Sequence, residues 1–146
     1  MLSRVAENLF WISRYVERVE NVSRLLNDAS LITLDAAAMD DGPNGNSPLD
    51  QVLKVLSGSD KLAIEPRSAQ GDELLAALTF DRKQDNSIVT MVARARENAR
   101  ATQETLSPEA WSQLNQLYLA LSKPISRKRF SAICFCICVP PWSSRC

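Results

Sequence analysis

Two short stretches, Arg14-Tyr15-Val16-Glu17-Arg18-Val19-Glu20-Asn21 and Arg94-Ala95-Arg96-Glu97-Asn98-Ala99-Arg100, each gather guanidiniums, one or two carboxylates and an amide within about two helical turns. Such groups can hold an anion through Arg14, Arg18, Arg96 and Arg100. They can also move protons, if Glu17, Glu20 and Glu97 are crowded together so that one of them keeps its proton near neutral pH. The chain has no histidine, so acid–base work would fall to Glu, Asp, Lys, Tyr or Cys, and the commonest metal ligand is missing. There is no Gly-rich phosphate loop, no credible metal set and no marked nucleophile, so neither a cofactor nor a metal is expected and catalysis is the weaker reading.

A plain surface reading competes with both. On a helical wheel Glu7, Phe10, Trp11, Arg14, Glu17, Arg18, Asn21 and Leu25 fall opposite Val5, Leu9, Ile12, Val16 and Val19. Arg14 would then pair with Glu17 three residues on, or stack on Trp11, each contact contributing a few tenths of a kcal/mol. Phe10 and Trp11 speak against a merely solvated face and for a second buried or cleft-lining contact. Arg94 and Glu97 likewise lie opposite an apolar stripe, with Asn98 and Arg100 on its flanks. If the two polar faces meet, Glu17, Glu20 and Glu97 form one cluster with the arginines, which could equally be a structural network.

The elements that must position these groups are helices. Val5, Leu9, Ile12, Val16, Val19 and Leu26 follow a 4-3 spacing broken only by Ser23, which predicts a long amphipathic helix reaching about Ala38. Asp40 to Asn46 is dense in turn formers, and Ser47-Pro48 starts a short helix that Gly58 stops. A further turn is expected over 60–65, and Asp72 caps a minor helix ending near Phe80. The second long helix begins after Asn86-Ser87 and carries Ile88, Val92, Ala95, Ala99, Thr102 and Leu106 on one side, its alanines admitting a close neighbour. Ser107-Pro108 restarts a helix whose apolar face is Trp111, Leu114, Leu117, Tyr118 and Leu121. No segment alternates with the period of a strand, so the fold class is all-α, a helical bundle.

Length and charge narrow the rest. The 146 residues suit one domain. The formal net charge of zero conceals an excess of five acids over residues 1–122, with 12 basic and 17 acidic groups, and five basic groups without any acid over 123–146. An acidic body disfavours nucleic acid as a partner. The N-terminus lacks the pattern of a secretory signal and no membrane-spanning run occurs, so the cytoplasm is expected. Residues 1–122 are read as the helical domain and 123–146 as an irregular, basic tail. All four cysteines lie there, in Cys134-Phe135-Cys136-Ile137-Cys138 and at Cys146. Their spacing does not suit zinc, a palmitoylated anchor beside Arg127-Lys128-Arg129 is chemically conceivable, and a reading-frame change is the preferred account.

The run Met1-Leu2-Ser3-Arg4-Val5-Ala6-Glu7-Asn8-Leu9-Phe10-Trp11, then Arg14 to Asn21 and Arg24-Leu25-Leu26, resembles the start of the bacterial alpha-E domain. The likeness resumes at Asn86-Ser87-Ile88, at Ala95 to Arg100 and at Glu109-Ala110-Trp111 through Leu114 to Leu119. It implies an all-helical domain that accompanies circularly permuted ATP-grasp proteins and transglutaminase-like proteins in amide-linked peptide metabolism. The chain is short for that family, so it reads as the N-terminal half of a bundle with exposed seams and a tendency to self-associate. The resemblance implies a non-catalytic accessory domain that binds the ligase or an anionic peptide through Arg14, Glu17, Arg18, Glu20, Asn21, Arg96, Glu97, Asn98 and Arg100. The alternatives are an enzyme using the clustered glutamates and a truncated, inactive or membrane-peripheral fragment.

Overall fold

The computed structural model describes residues 2–38, 55 and 71–122. Four helices follow one another there: α1 (Leu2–Ala38), α2 (Gly71–Phe80), α3 (Ile88–Ala101) and α4 (Pro108–Ser122), with one 3-10 turn at Gln103–Thr105 between the last two. No strand occurs among the described residues, as the apolar spacing requires. The expected helix after Pro48 lies outside the described residues except at Val55, which is helical and exposed. The turn over 60–65 and the tail 123–146 lie outside them altogether.

The starts of α3 and α4 follow the capping rules, whereas α2 begins at Gly71, one residue before the Asp72 expected to cap it. Ser87 takes an extended conformation and its hydroxyl accepts the Thr90 amide at 3.3 Å, so α3 begins where Asn86-Ser87 indicated. Ser107 does the same for Ala110 at 3.2 Å, ahead of Pro108 at the first position of α4. Helix α3 stops earlier than its apolar stripe. Thr102 turns out of helical geometry, its hydroxyl donates back to the Asn98 carbonyl at 3.0 Å, and the chain tightens into the 3-10 turn before Leu106.

The principal contact of the fold is α1 against α3, with α4 and α2 packed against α3. Val19, Val22, Leu26 and Ala29 of α1 meet Ile88, Val89, Met91 and Val92 of α3, and Leu78 and Leu121 close the core from α2 and α4. Ala95 and Ala99 are completely buried, the close approach that the alanines foretold. The seam of α1 differs from expectation. Leu9 and Val16 are exposed, while Tyr15 packs on the core, Val22 is buried and Ser23 is fully enclosed. The buried face is therefore turned by roughly 40° on the wheel from the one expected. Ser23 can sit inside because its hydroxyl donates to the Val19 carbonyl at 2.7 Å, leaving nothing unsatisfied. No buried side-chain polar atom lacks a partner among the described residues.

Leu26→Ala, at a site with no exposure, is expected to destabilise the protein by about 2–5 kcal/mol in denaturant unfolding. Val16→Ala, at a side chain 46% exposed, is expected to cost less than about 1 kcal/mol. The opposite order would put the core on the Val16 side of the helix.

Candidate functional site

The polar groups are set by which face of each helix the core consumes. With Val19, Val22 and Leu26 turned inward, Arg14 and Glu17 are left on open surface and pair across one turn at 3.0 Å, both more than half exposed. Glu20 accepts from Arg24 one turn on. Asn21 is exposed on the same side of the chain. Arg18 alone of these reaches across to the second long helix, donating to Asn86 Oδ1 at 3.1 Å, directly before the Ser87 cap. Among the described residues no ion pair joins α1 to α3.

Arg96 does something different from the expected ligand contact. Its Nε donates to Asn115 Oδ1 at 2.8 Å, and its guanidinium lies 4.7 Å from the Tyr118 ring centre and 5.9 Å from that of Trp111. Two aromatic rings and an amide of α4 thus grip one arginine of α3, and Glu97 touches it from outside at 3.4 Å. A planar guanidinium suits this because it can stack and donate at once. The cation–π contacts among the described residues are those of Arg96; Arg14 takes Glu17 instead of stacking on Trp11. Phe10 and Trp11 remain 57% and 44% exposed, so the buried contact expected for them is absent from the described residues. They pack edge to face on one another at 5.5 Å, and Trp11 stacks on Tyr15 at 5.8 Å.

Tyr15 leads from that ladder into an open groove of about 510 Å³ lined by Tyr15, Arg82, Val89, Thr90, Ala93, Arg94, Glu97 and Asn98. Val89 and Ala93 supply an apolar floor, Thr90 a hydroxyl, Asn98 an amide, and Arg82 and Arg94 two guanidiniums facing one carboxylate. Arg94 is held by Asp85 at 2.6 Å. Arg82 makes only a long contact to Ser122 Oγ at 3.5 Å and has no carboxylate partner among the described residues. The Arg82 carbonyl is fixed by the Thr90 hydroxyl, also at 3.5 Å, which ties the groove's rim to the first turn of α3.

Of the residues singled out from sequence, the groove brings together Glu97 and Asn98. Arg14, Glu17, Asn21 and Arg100 lie exposed elsewhere, Glu20 half-buried beside Arg24, Arg18 at the Asn86 crossing and Arg96 in the α4 grip. The carboxylates of Glu17, Glu20 and Glu97 each accept from an arginine of the same helix. Arg82 and Thr90 were not singled out from sequence, and Arg94 only for its place opposite the apolar stripe of its helix. The signal for Thr90 was its place in the first turn after the Ser87 cap, one turn before Arg94.

The amino-acid pattern and the fold can now be set beside known families. Over residues 1–136 the chain matches Alpha-E, described as a predicted alpha-helical domain with a conserved ER motif. The chain belongs to the Alpha-E family. Glutamate is directly followed by arginine at one place only, Glu17-Arg18. In this member the motif's glutamate pairs along its own helix with Arg14, and its arginine spans to Asn86, so the dipeptide joins α1 to the start of α3. No curated protein and no solved structure matches the chain. No described helix is long and apolar enough to cross a membrane, and no cluster of metal-ligating groups occurs among the described residues.

Arg96→Ala is expected to lower stability by about 1–3 kcal/mol, since it removes a hydrogen bond and two ring contacts together. Lysine should restore less than half of that, because it lacks the planar fork. Glu17→Gln, on open surface, should change stability by less than about 0.5 kcal/mol. Thermal unfolding of the three variants checks the ranking.

Proposed function

We propose that this Alpha-E chain is a non-catalytic accessory domain that acts with an ATP-grasp ligase of peptide or amide metabolism and holds a carboxylate-bearing segment of that partner, or of its anionic peptide substrate, in the groove beside Tyr15. The observation that carries the reading is Arg82, a guanidinium with no carboxylate partner among the described residues, placed with Arg94, Thr90 and Asn98 around an apolar floor. An arginine fork takes a carboxylate in two parallel bonds, and Thr90 and Asn98 add a hydroxyl and an amide at the side. Glu97 on the same wall suits the peptide nitrogen or an ammonium group of the bound segment.

The pairing of the glutamates favours holding over reacting. A glutamate that moves protons near neutral pH needs burial or a second carboxylate beside it. Glu17 and Glu97 are 58% and 62% exposed, and each has a guanidinium at hand. The association with ATP-grasp and transglutaminase-like proteins rests on the family resemblance, and the groove gives it a chemical form: a cationic seat for acidic peptide chain.

Binding of a tetraglutamate peptide, and separately of the ATP-grasp protein from the same source, can be measured by titration calorimetry. Arg82→Glu is expected to weaken both by at least about tenfold, and raised salt should weaken the wild type in parallel. Arg14→Ala with Glu17→Ala should leave both unchanged. Equal binding by wild type and Arg82→Glu would remove the groove from the account.

A further inference from the structure

Helix α1 carries a second apolar stripe besides the one its core uses. Leu2, Val5, Leu9, Ile12 and Val16 recur at alternating steps of three and four, a strict heptad seam along one side of the helix. Leu2 is 89% exposed, Leu9 37% and Val16 46%, while Val5 and Ile12 are partly covered. With Tyr15, Val19 and Val22 inward and Phe10 and Trp11 on a third side, the first half of α1 has apolar side chains in three directions. A helix of that kind is made to be surrounded.

Helix α3 is too short to line the whole of α1. At 1.5 Å per residue the 37 residues of α1 extend roughly 55 Å, and the 14 residues of α3 roughly 21 Å. No residue of α1 before Val19 is fully buried. Helix α1 is therefore longer than α3 by roughly 35 Å, and the stripe lies in the part before Val19, where no residue is fully buried.

We propose that this stripe docks antiparallel on the same stripe of a second copy of the chain. Antiparallel heptads bring one position of the seam against the other. About a two-fold axis between Leu9 and Ile12, Leu9 of one copy meets Ile12 of the second, and Val5 meets Val16. Every apolar side chain at the centre finds an apolar partner twice over, as an isologous contact demands. The flanking positions agree. Ala6 comes beside Ser13 of the second copy and Asn8 beside Tyr15, so neither flank carries a charge there and the small residues on one flank let two helices approach closely. An uncharged seam offers nothing to an acidic or basic partner and suits a helix with the same pattern. The interface is short beside the roughly 800 Å² per partner of a standard one, so association is expected to depend on concentration.

Sedimentation of the full chain over a range of concentrations tests this. The wild type is expected to pass from monomer to dimer, and Leu9→Glu to weaken the association at least about tenfold, with helix content unchanged by circular dichroism. Val5→Glu and Val16→Lys should each dissociate alone, and their equimolar mixture should associate again, because the antiparallel register sets Glu against Lys. A wild type that stays monomeric overturns the proposal, as does a Leu9→Glu chain that associates like wild type. A mixture that does not recover overturns the register. Phe10→Ser, outside the seam, should leave the dimer unchanged, and a dimer lost there instead would assign the contact to the aromatic face.

Discussion

The close approach of α1 and α3 is the constraint on which the remaining features depend. It needs Val19, Val22 and Leu26 on one side and Ile88, Met91 and Val92 on the other, while the buried Ala95 and Ala99 keep the rest of α3 small enough for close neighbours. Once that face of α1 is consumed, the direction of every other side chain on the helix follows from a 100° step. Arg14 and Glu17 must lie outside, Arg18 must lie at the edge where it can reach Asn86, and Tyr15 must stand at the mouth of the groove on the flank of α3. The groove is thus a by-product of how two helices of unequal length meet, and its charges come from the residues that border the contact.

The same logic separates the arginines by task. Arg96 lies on the α3 flank nearest α4 and is taken up by Asn115, Tyr118 and Trp111, a set of partners that leaves its side chain 26% exposed. Arg18 is committed to the loop before α3, Arg14 and Arg24 to their own helix, Arg94 to Asp85. Surface pairs of this kind contribute little to stability, because solvent screens both charges. Their effect is to withdraw cations from ligand binding and to leave Arg82 as the groove's least occupied guanidinium.

Much of the architecture was legible in the chain itself, and the reasons are local. Ser87 and Ser107-Pro108 are start signals whose hydroxyls act within one turn, so the beginnings of α3 and α4 could be placed from sequence, as could the buried stripe Ile88, Val92, Ala95, Ala99 and Thr102. What misled was α1, because it holds two apolar stripes that share Val19 and Leu26. Counting apolar residues favours the stripe through Leu9 and Val16; packing chose the one through Tyr15, Val22 and Ser23. A serine is scored as a break in such a count, yet one hydrogen bond to the preceding turn makes it as good a core residue as alanine. The site was less legible for a related reason. Arg82 lies in the loop after α2, and no spacing rule connects a loop residue to the flank of a helix that follows it.

The two stripes of α1 also explain why both cannot be satisfied by α3. Their centres differ by roughly 40° around the helix, while one neighbouring helix covers a face not much wider than a single seam. Packing Val22 and Leu26 against α3 turns Leu9 and Val16 away from it, and packing Leu9 and Val16 would expose Val22 and open the space around Ser23. Between these choices the observed one also satisfies polar groups: Ser23 bonds to Val19, Arg18 reaches Asn86, and Tyr15 borders the groove. The other stripe keeps its regular repeat although Leu2, Leu9 and Val16 stay exposed and Val5 and Ile12 are only partly covered. A repeat of seven held through Leu2, Val5, Leu9, Ile12 and Val16 is costly to leave in water and specific in what it matches, so it acts as an address for another helix, just as the first stripe is an address for α3.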